Sequence, residues 1–237
     1  RHFESFNLDL MYALPGQTVA ELGRELDAAL AFAPPHLSVY HLTIEPNTLF
    51  AKRPPAGLPD DDQASDMLDC ITERTARAGL ERYEVSAFAK PGQRCVHNLN
   101  YWQFGDYLGI GAGAHGKLSF PHRVVRQVRW REPASYMDKA LAGAAISNDE
   151  DVARRALPFE FMLNALRLRE GFALAEFTRR TGLPLSAIEV PLAQATARGL
   201  LEVPHRLDGV AGYRVHAAEN VERMRLAVAC ALRTCRL

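Results

Sequence analysis

Between positions 97 and 116 the chain concentrates side chains that can do chemistry. His97-Asn98-Leu99-Asn100-Tyr101-Trp102 offers an imidazole, two amides and two broad amphipathic rings. Gly105-Asp106-Tyr107-Leu108-Gly109-Ile110-Gly111-Ala112-Gly113-Ala114-His115-Gly116 follows with closely spaced glycines and a second histidine. Imidazole is a usual haem-iron ligand, and Tyr101 and Trp102 supply faces on which a flat ligand can stack. The residues alone allow two arrangements. In one, His97 ligates a metal macrocycle held against those rings. In the other, Tyr101 and Trp102 plug the open end of a sheet, with His97 hydrogen-bonded beneath them.

Other candidates are more isolated. Asp9 sits among apolar residues in Phe6-Asn7-Leu8-Asp9-Leu10-Met11, where an ionised carboxylate is costly to bury unless it is hydrogen-bonded. Its partner is expected to be a ligand hydroxyl or ammonium at the strand end, or neighbouring amides or an arginine. His36 and His41 flank Leu37-Ser38-Val39-Tyr40 and read as locally bonded structural histidines, and Glu45 reads as part of a capping turn. Gly111 to Gly116 matches G-x-G-x-x-G in form. Lys117-Leu118-Ser119-Phe120-Pro121 is a poor helix start, however, so the strand-turn-helix context of a dinucleotide site is missing. These glycines are expected to serve close backbone approach or positive φ.

The elements that must position these residues alternate. An apolar run over 6–14 closes at Pro15-Gly16, and helical periodicity over 18–32 starts with Thr18 and Glu21 at capping-box spacing. A strand over 36–42, a helix over 60–78 and a strand over 83–88 continue the pattern, which predicts a parallel sheet with helical crossovers. Pro54, Pro55 and Pro59 mark a loop over 52–62. A strand is expected over 124–131 and a helix over 132–144. Helices are then expected over 149–169, 173–181 and 185–199, with a hairpin from 200–203 and 213–215, the parts of a winged helix. The expected domains are 1–148 and 149–237. Three β-α units leave an open sheet edge, so further strands are expected ahead of residue 1.

Composition narrows the function. At 237 residues and 48% hydrophobic the chain can bury a sizeable core. Basic and acidic residues both number 28, so no net field gathers nucleic acid or an anionic membrane, and the helix over 185–199 carries only Arg198 as a cation. Cys70, Cys95, Cys230 and Cys235 include no C-x-x-C pair, which fits a reduced, cytoplasmic setting better than a disulfide scaffold. No apolar run is long enough to span a membrane.

Four motifs together resemble a known family: Asn7-Leu8-Asp9-Leu10-Met11-Tyr12-Ala13-Leu14-Pro15-Gly16-Gln17-Thr18, His36-Leu37-Ser38-Val39-Tyr40, Tyr83-Glu84-Val85-Ser86-Ala87-Phe88-Ala89 and His97 to Trp102. In order and spacing they are similar to the HemW-type radical-SAM proteins, relatives of oxygen-independent coproporphyrinogen III oxidase, over about residues 6–202. The resemblance implies an α/β fold: part of a parallel radical-SAM (β/α) barrel followed by a helical, winged-helix-like carboxyl-terminal domain. It implies S-adenosylmethionine on a [4Fe-4S] cluster, with Asp9 contacting S-adenosylmethionine, and haem at His97, Asn98, Tyr101 and Trp102, with His97 the candidate iron ligand. It implies a haem chaperone that passes haem to acceptor haem proteins, an acceptor at a membrane being compatible with it. Porphyrinogen decarboxylation by the oxidase branch is the alternative. Two departures stand out. The family's C-x-x-x-C-x-x-C triplet is absent, so this chain alone is expected to bind no cluster, and Ala13 replaces the usual glycine. The likeness fades after about residue 203, which leaves a helix expected over 219–233 unassigned.

Overall fold

The computed structural model describes residues 3–202 and 212–215. They form two compact units that divide between Cys95 and Val96.

The first unit opens with strand β1 (Asn7–Tyr12) and helix α1 (Val19–Leu30). The capping box forms as its spacing predicts: the Thr18 hydroxyl accepts from the Glu21 amide at 3.2 Å and the Glu21 carboxylate accepts from the Thr18 amide at 2.9 Å. Leu22, Leu26 and Ala29 then recur on one buried face. Thr18→Ala is expected to destabilise this unit by about 1 kcal/mol, read as a lower urea midpoint in far-ultraviolet circular dichroism. Ala13, between β1 and Pro15, is buried with φ +60°. That left-handed conformation costs an alanine about 1 kcal/mol, which is the physical reason glycine suits the position.

Strand β2 (His36–His41) pairs parallel with β1, and the short helix α2 (Leu49–Lys52) precedes α3 (Asp61–Arg77). Asp60 and Gln63 cap α3 reciprocally, and Met67 and Ile71 pack with Leu22 and Leu26 in one core. The expected third parallel strand over 83–88 does not form. Instead β3 (Glu81–Arg82) and β4 (Ala87–Ala89) make a tight hairpin, and β4 inserts between β2 and β3, antiparallel to both. The sheet is therefore mixed, not wholly parallel. The crossover through α3 does deliver β3 in the direction of β2. A short reversal then suffices for an antiparallel return, whereas a parallel neighbour would need another long crossover.

The second unit starts with helix α4 (Val96–Trp102), followed by strands β5 (His115–Phe120) and β6 (Arg123–Arg129), helix α5 (Pro133–Leu141) and strand β7 (Ile146–Asp151). Glu132 caps α5 by accepting from the Ala134 and Ser135 amides. The helix expected over 149–169 begins only at 157, and the domain boundary expected at 148/149 falls inside β7. The acidic run Asp149-Glu150-Asp151 pairs across the sheet with the basic strand β6, Asp151 opposite Val125 and Glu150 opposite Arg126. Arg123 reaches Asp151 at 3.5 Å, so complementary charge and the β6 template outweigh helical periodicity.

Beyond β7 come α6 (Leu157–Ala165), β8 (Phe172–Ala173), α7 (Leu174–Thr181), α8 (Glu189–Ala197), β9 (Leu201–Glu202) and β10 (Gly212–Val215). The last three strands form an antiparallel sheet in the order β8-β10-β9. Phe161 is the hub of this unit's core, with ring centroids of Phe104, Phe172 and Phe177 at 5.7, 5.2 and 5.3 Å. Among the described residues no helix is long and apolar enough to cross a membrane. The helix expected over 219–233, Val203, Cys230 and Cys235 lie outside the described residues.

Candidate functional site

His97, Asn98, Tyr101 and Trp102 all lie on α4, so the i, i+4 spacing of His97 and Tyr101 stacks them on one helix face. The His97 ring packs edge-on against Tyr101, with centroids 4.8 Å apart at 73°. The Tyr107 ring also packs on Tyr101, with centroids 4.3 Å apart at 48°. His97 is exposed, and no described residue hydrogen-bonds it. Of the two arrangements open in sequence, burial of His97 beneath the rings is thus not the one adopted. Asn98, Tyr101 and Trp102 are half-buried. Burial, reinforced by Tyr107, holds the Tyr101 phenol above its ordinary 10.0, so it stays protonated through neutral pH. The Arg167 guanidinium lies 4.1 Å from the Trp102 ring centroid.

The end of α4 is built with unusual firmness. Phe104 donates its amide to the Tyr101 carbonyl at 2.9 Å and Gly105 to the Asn100 carbonyl at 2.7 Å, the paired bonds of a Schellman stop. The left-handed residue is Phe104, at φ +56°, where glycine is usual. Left-handed φ costs such a residue about 1–2 kcal/mol. Its ring is buried against Phe161, and Lys117 offsets the remainder. Lys117, 2% exposed at its side chain, donates to the Phe104 carbonyl at 3.0 Å, Asp106 Oδ1 at 2.8 Å and Ser119 Oγ at 2.9 Å. All three ammonium protons are used. At Gly105 a Cβ would stand 2.0 Å from Asn100 Oδ1, so only glycine fits.

The glycine-rich run is structural, as its context predicts. Residues 107–109 cross 115–117 closely, with Tyr107 and Lys117 exchanging amide-carbonyl bonds, and a Cβ on Gly109 would lie 2.4 Å from the His115 carbonyl oxygen. The run leads into strand β5, not a helix. Tyr107 and Arg167 were not singled out in sequence. Tyr107 adjoins the motif and is a readable signal, whereas Arg167 reaches Trp102 only through the packing of its unit.

In the first unit, Asp9 lies on β1 and is exposed, not buried among apolar neighbours, because it shares a face with exposed Asn7 and Met11 while the alternate residues Leu8, Leu10 and Tyr12 pack on the core. It accepts from Asn7 Nδ2 at 2.8 Å, and from there a continuous hydrogen-bonded chain runs inward. Asn7 Oδ1 meets His36 Nδ1 at 2.7 Å and the Ser38 hydroxyl at 3.1 Å, His36 Nε2 meets the Tyr83 hydroxyl at 2.8 Å, and the Cys95 amide reaches that hydroxyl at 3.4 Å. Since Asn7 Oδ1 and the Tyr83 oxygen act as acceptors, the consistent assignment is a neutral His36 protonated at Nδ1 that accepts from Tyr83. Burial lowers the His36 pKa below its ordinary 6.5, against a smaller opposing pull from Asp9. His41 is exposed and packs edge-on against Tyr12 at 5.0 Å. The Glu45 carbonyl accepts from Thr48, the residue that caps α2.

The donor sets discriminate between cofactors. Cys70 and Cys95 are half-buried free thiols, and among the described residues no three His, Cys, Asp or Glu side chains cluster as metal ligands. An iron-sulfur cluster therefore has no fitting ligand set among the described residues. A haem does fit α4: an accessible imidazole stands beside an aromatic face, and the buried Trp102 Nε1 has no hydrogen-bond partner among the described residues.

Residues 152–204 match the family model described as HemN C-terminal domain. The chain is 48% identical over 198 residues to "Heme chaperone HemW" of Escherichia coli, covering 83% of this chain and 51% of that protein. It is 48% identical over 187 residues to "Heme chaperone HemW" of Haemophilus influenzae, covering 78% and 48%, and 34% identical over 190 residues to that of Bacillus subtilis, covering 78% and 49%. The chain spans about half the length of the curated relatives it matches. Its fold is similar to the solved structure titled "Coproporphyrinogen III oxidase (HemN) from Escherichia coli is a Radical SAM enzyme", with a TM-score of 0.71 at 20% identity, covering 97% of this chain and 55% of that one.

Proposed function

This chain belongs to the HemW-type family of coproporphyrinogen III oxidase-like proteins, and we propose that it binds haem on α4 and passes it to acceptor haem proteins. The observation that carries the reading is the exposed His97 imidazole set edge-on against Tyr101 on a helix whose end is locked. His97 would supply the iron ligand, Tyr101 and Trp102 the aromatic wall, and Asn98 a polar contact. When bound, haem supplies the iron centre that the acceptor needs. The protein's own task is to hold it by a single accessible side chain from which it can be released. The acceptors are haem proteins of the cytoplasm or of the membrane surface.

The finer fold reading belongs to the same proposal. The parallel pair β1 and β2 with α1 and α3 is read as part of a radical-SAM barrel, and α6, α7 and α8 with the sheet β8-β10-β9 as the winged-helix-like domain. Asp9, exposed on β1, is read as a contact to S-adenosylmethionine, held in orientation by Asn7. Decarboxylation of coproporphyrinogen by the oxidase branch is the alternative; the chaperone reading is preferred because the chain is 48% identical to two proteins named "Heme chaperone HemW" and only 20% identical to the oxidase whose fold it shares.

Titration of haem followed in the Soret band tests the proposal. Replacing the iron ligand by His97→Ala is expected to weaken binding by about a hundredfold and shift the band, since even outer-shell partners of metal ligands are worth ten- to a hundredfold. Equal affinity and an unchanged spectrum would remove His97 from the site.

A further inference from the structure

A cavity of about 350 Å³ opens in the second unit between the tip of the β5–β6 hairpin, the start of α6 and the end of α7. Arg123, Arg154, Arg179 and Arg180 line it, together with His122. One carboxylate, Asp151, shares the wall and meets Arg123 at 3.5 Å. Glu176, on α7 beside it, takes Arg179 in a forked ion pair and lies 3.6 Å from Arg180 Nε. Positive charge is thus in excess. Val124 and Leu157, both buried, give the same cavity an apolar side.

Neutralising the carbonyl end of α7 accounts for Arg179 and Arg180, which sit in its last turn. It does not account for Arg123 on the hairpin and Arg154 before α6, which converge on the same opening from other elements. Arg154 makes one long bond, to the Gly182 carbonyl at 3.4 Å, and no ion pair among the described residues. Arg180 Nε is buried with no hydrogen-bond partner among the described residues. That nitrogen is turned to Glu176, but Arg154 with its one long carbonyl bond and Arg123 with its long ion pair keep donor capacity that an oxyanion in the cavity would complete.

We propose that this cavity binds a small molecule presenting a doubly charged oxyanion, a phosphate monoester or a paired carboxylate, on an apolar body. Its size is at the small end of ligand pockets. None of His97, Asn98, Tyr101 and Trp102 lines it, so the site stands apart from the haem reading.

Calorimetric titration of the whole chain with phenyl phosphate, phthalate and benzyl alcohol tests the assignment. Saturable binding of one of the two dianions is expected, identifying phosphate or dicarboxylate as the ligand class, with none for the neutral alcohol. Arg154→Gln is expected to weaken binding by about tenfold and Arg154→Lys by less, because lysine keeps the charge but loses the fork. Rising salt is expected to weaken it further, and His97→Ala to leave it unchanged. Arg123→Gln, on the exposed hairpin, supplies the same comparison should Arg154→Gln fail to fold. If neither dianion saturates, if benzyl alcohol binds equally, or if both glutamine variants bind like the parent, the proposal is overturned.

Discussion

Phe161→Ala is expected to destabilise the second unit by about 4 kcal/mol, within the range measured for buried phenylalanines replaced by alanine. Phe161 is 1% exposed, and three other phenylalanine rings meet it edge-on, so the void it leaves cannot close without moving all of them. The consequence reaches the candidate site because one of those rings is Phe104, the left-handed residue that ends α4. Trp102 and Trp130, the two tryptophans of the chain, both lie in this unit. Urea unfolding followed by tryptophan fluorescence therefore reads it selectively. A loss under about 1.5 kcal/mol would show that the four rings do not form one packed cluster.

The second large effect concerns charge. Asp106→Ala is expected to cost about 3 kcal/mol, because it strips the counter-ion from the Lys117 ammonium in the interior and also unbonds Ser119. The low end of the range for broken buried pairs applies, since the Asp106 side chain is 41% exposed. Lys117→Met is expected to cost less: it leaves behind a carboxylate that reaches water and keeps both Ser119 bonds. If the two losses in urea denaturation come out in the reverse order, the ammonium is not the costly partner.

The same pair sets an acid dependence. Burial raises the Asp106 pKa, but the bonds from Lys117 and Ser119 outweigh it and leave the carboxyl below its ordinary 3.8. A depressed carboxyl binds fewer protons folded than unfolded, so its contribution is present above the ordinary value and drains away as pH falls through the folded one. The acid limb of the stability curve is accordingly expected to flatten in Asp106→Ala.

Much of the local structure was legible because its causes are local. Thr18 with Glu21, Asp60 ahead of α3 and Pro133 after Glu132 act within one turn, and the helices appear where those signals lie. The run over 149–169 reads as one helix in sequence, but its periodicity competes with a partner that only the fold supplies, the arginine-bearing β6. The expected parallel strand over 83–88 gives way for a related reason: strand direction depends on which neighbour captures the chain, and β2 captures β4 on its return.

For the candidate site the division is similar. The types and adjacency of His97, Asn98, Tyr101 and Trp102 mark them as a set in the sequence, whereas the helix that puts His97 and Tyr101 on one face belongs to the fold. Whether His97 faces solvent or is covered, and whether Asp9 is buried, depends on the number of strands and helices packed against each, a sum over residues far apart in sequence. Arg167 over Trp102, Lys117 under Phe104 and the four arginines around one cavity are likewise products of tertiary packing. Sequence alone determined which chemistries the chain carries and where its capped helices α1, α3 and α5 begin. Only the three-dimensional arrangement decided which of those groups meet, because burial and charge pairing are set by long-range contacts that no local spacing encodes.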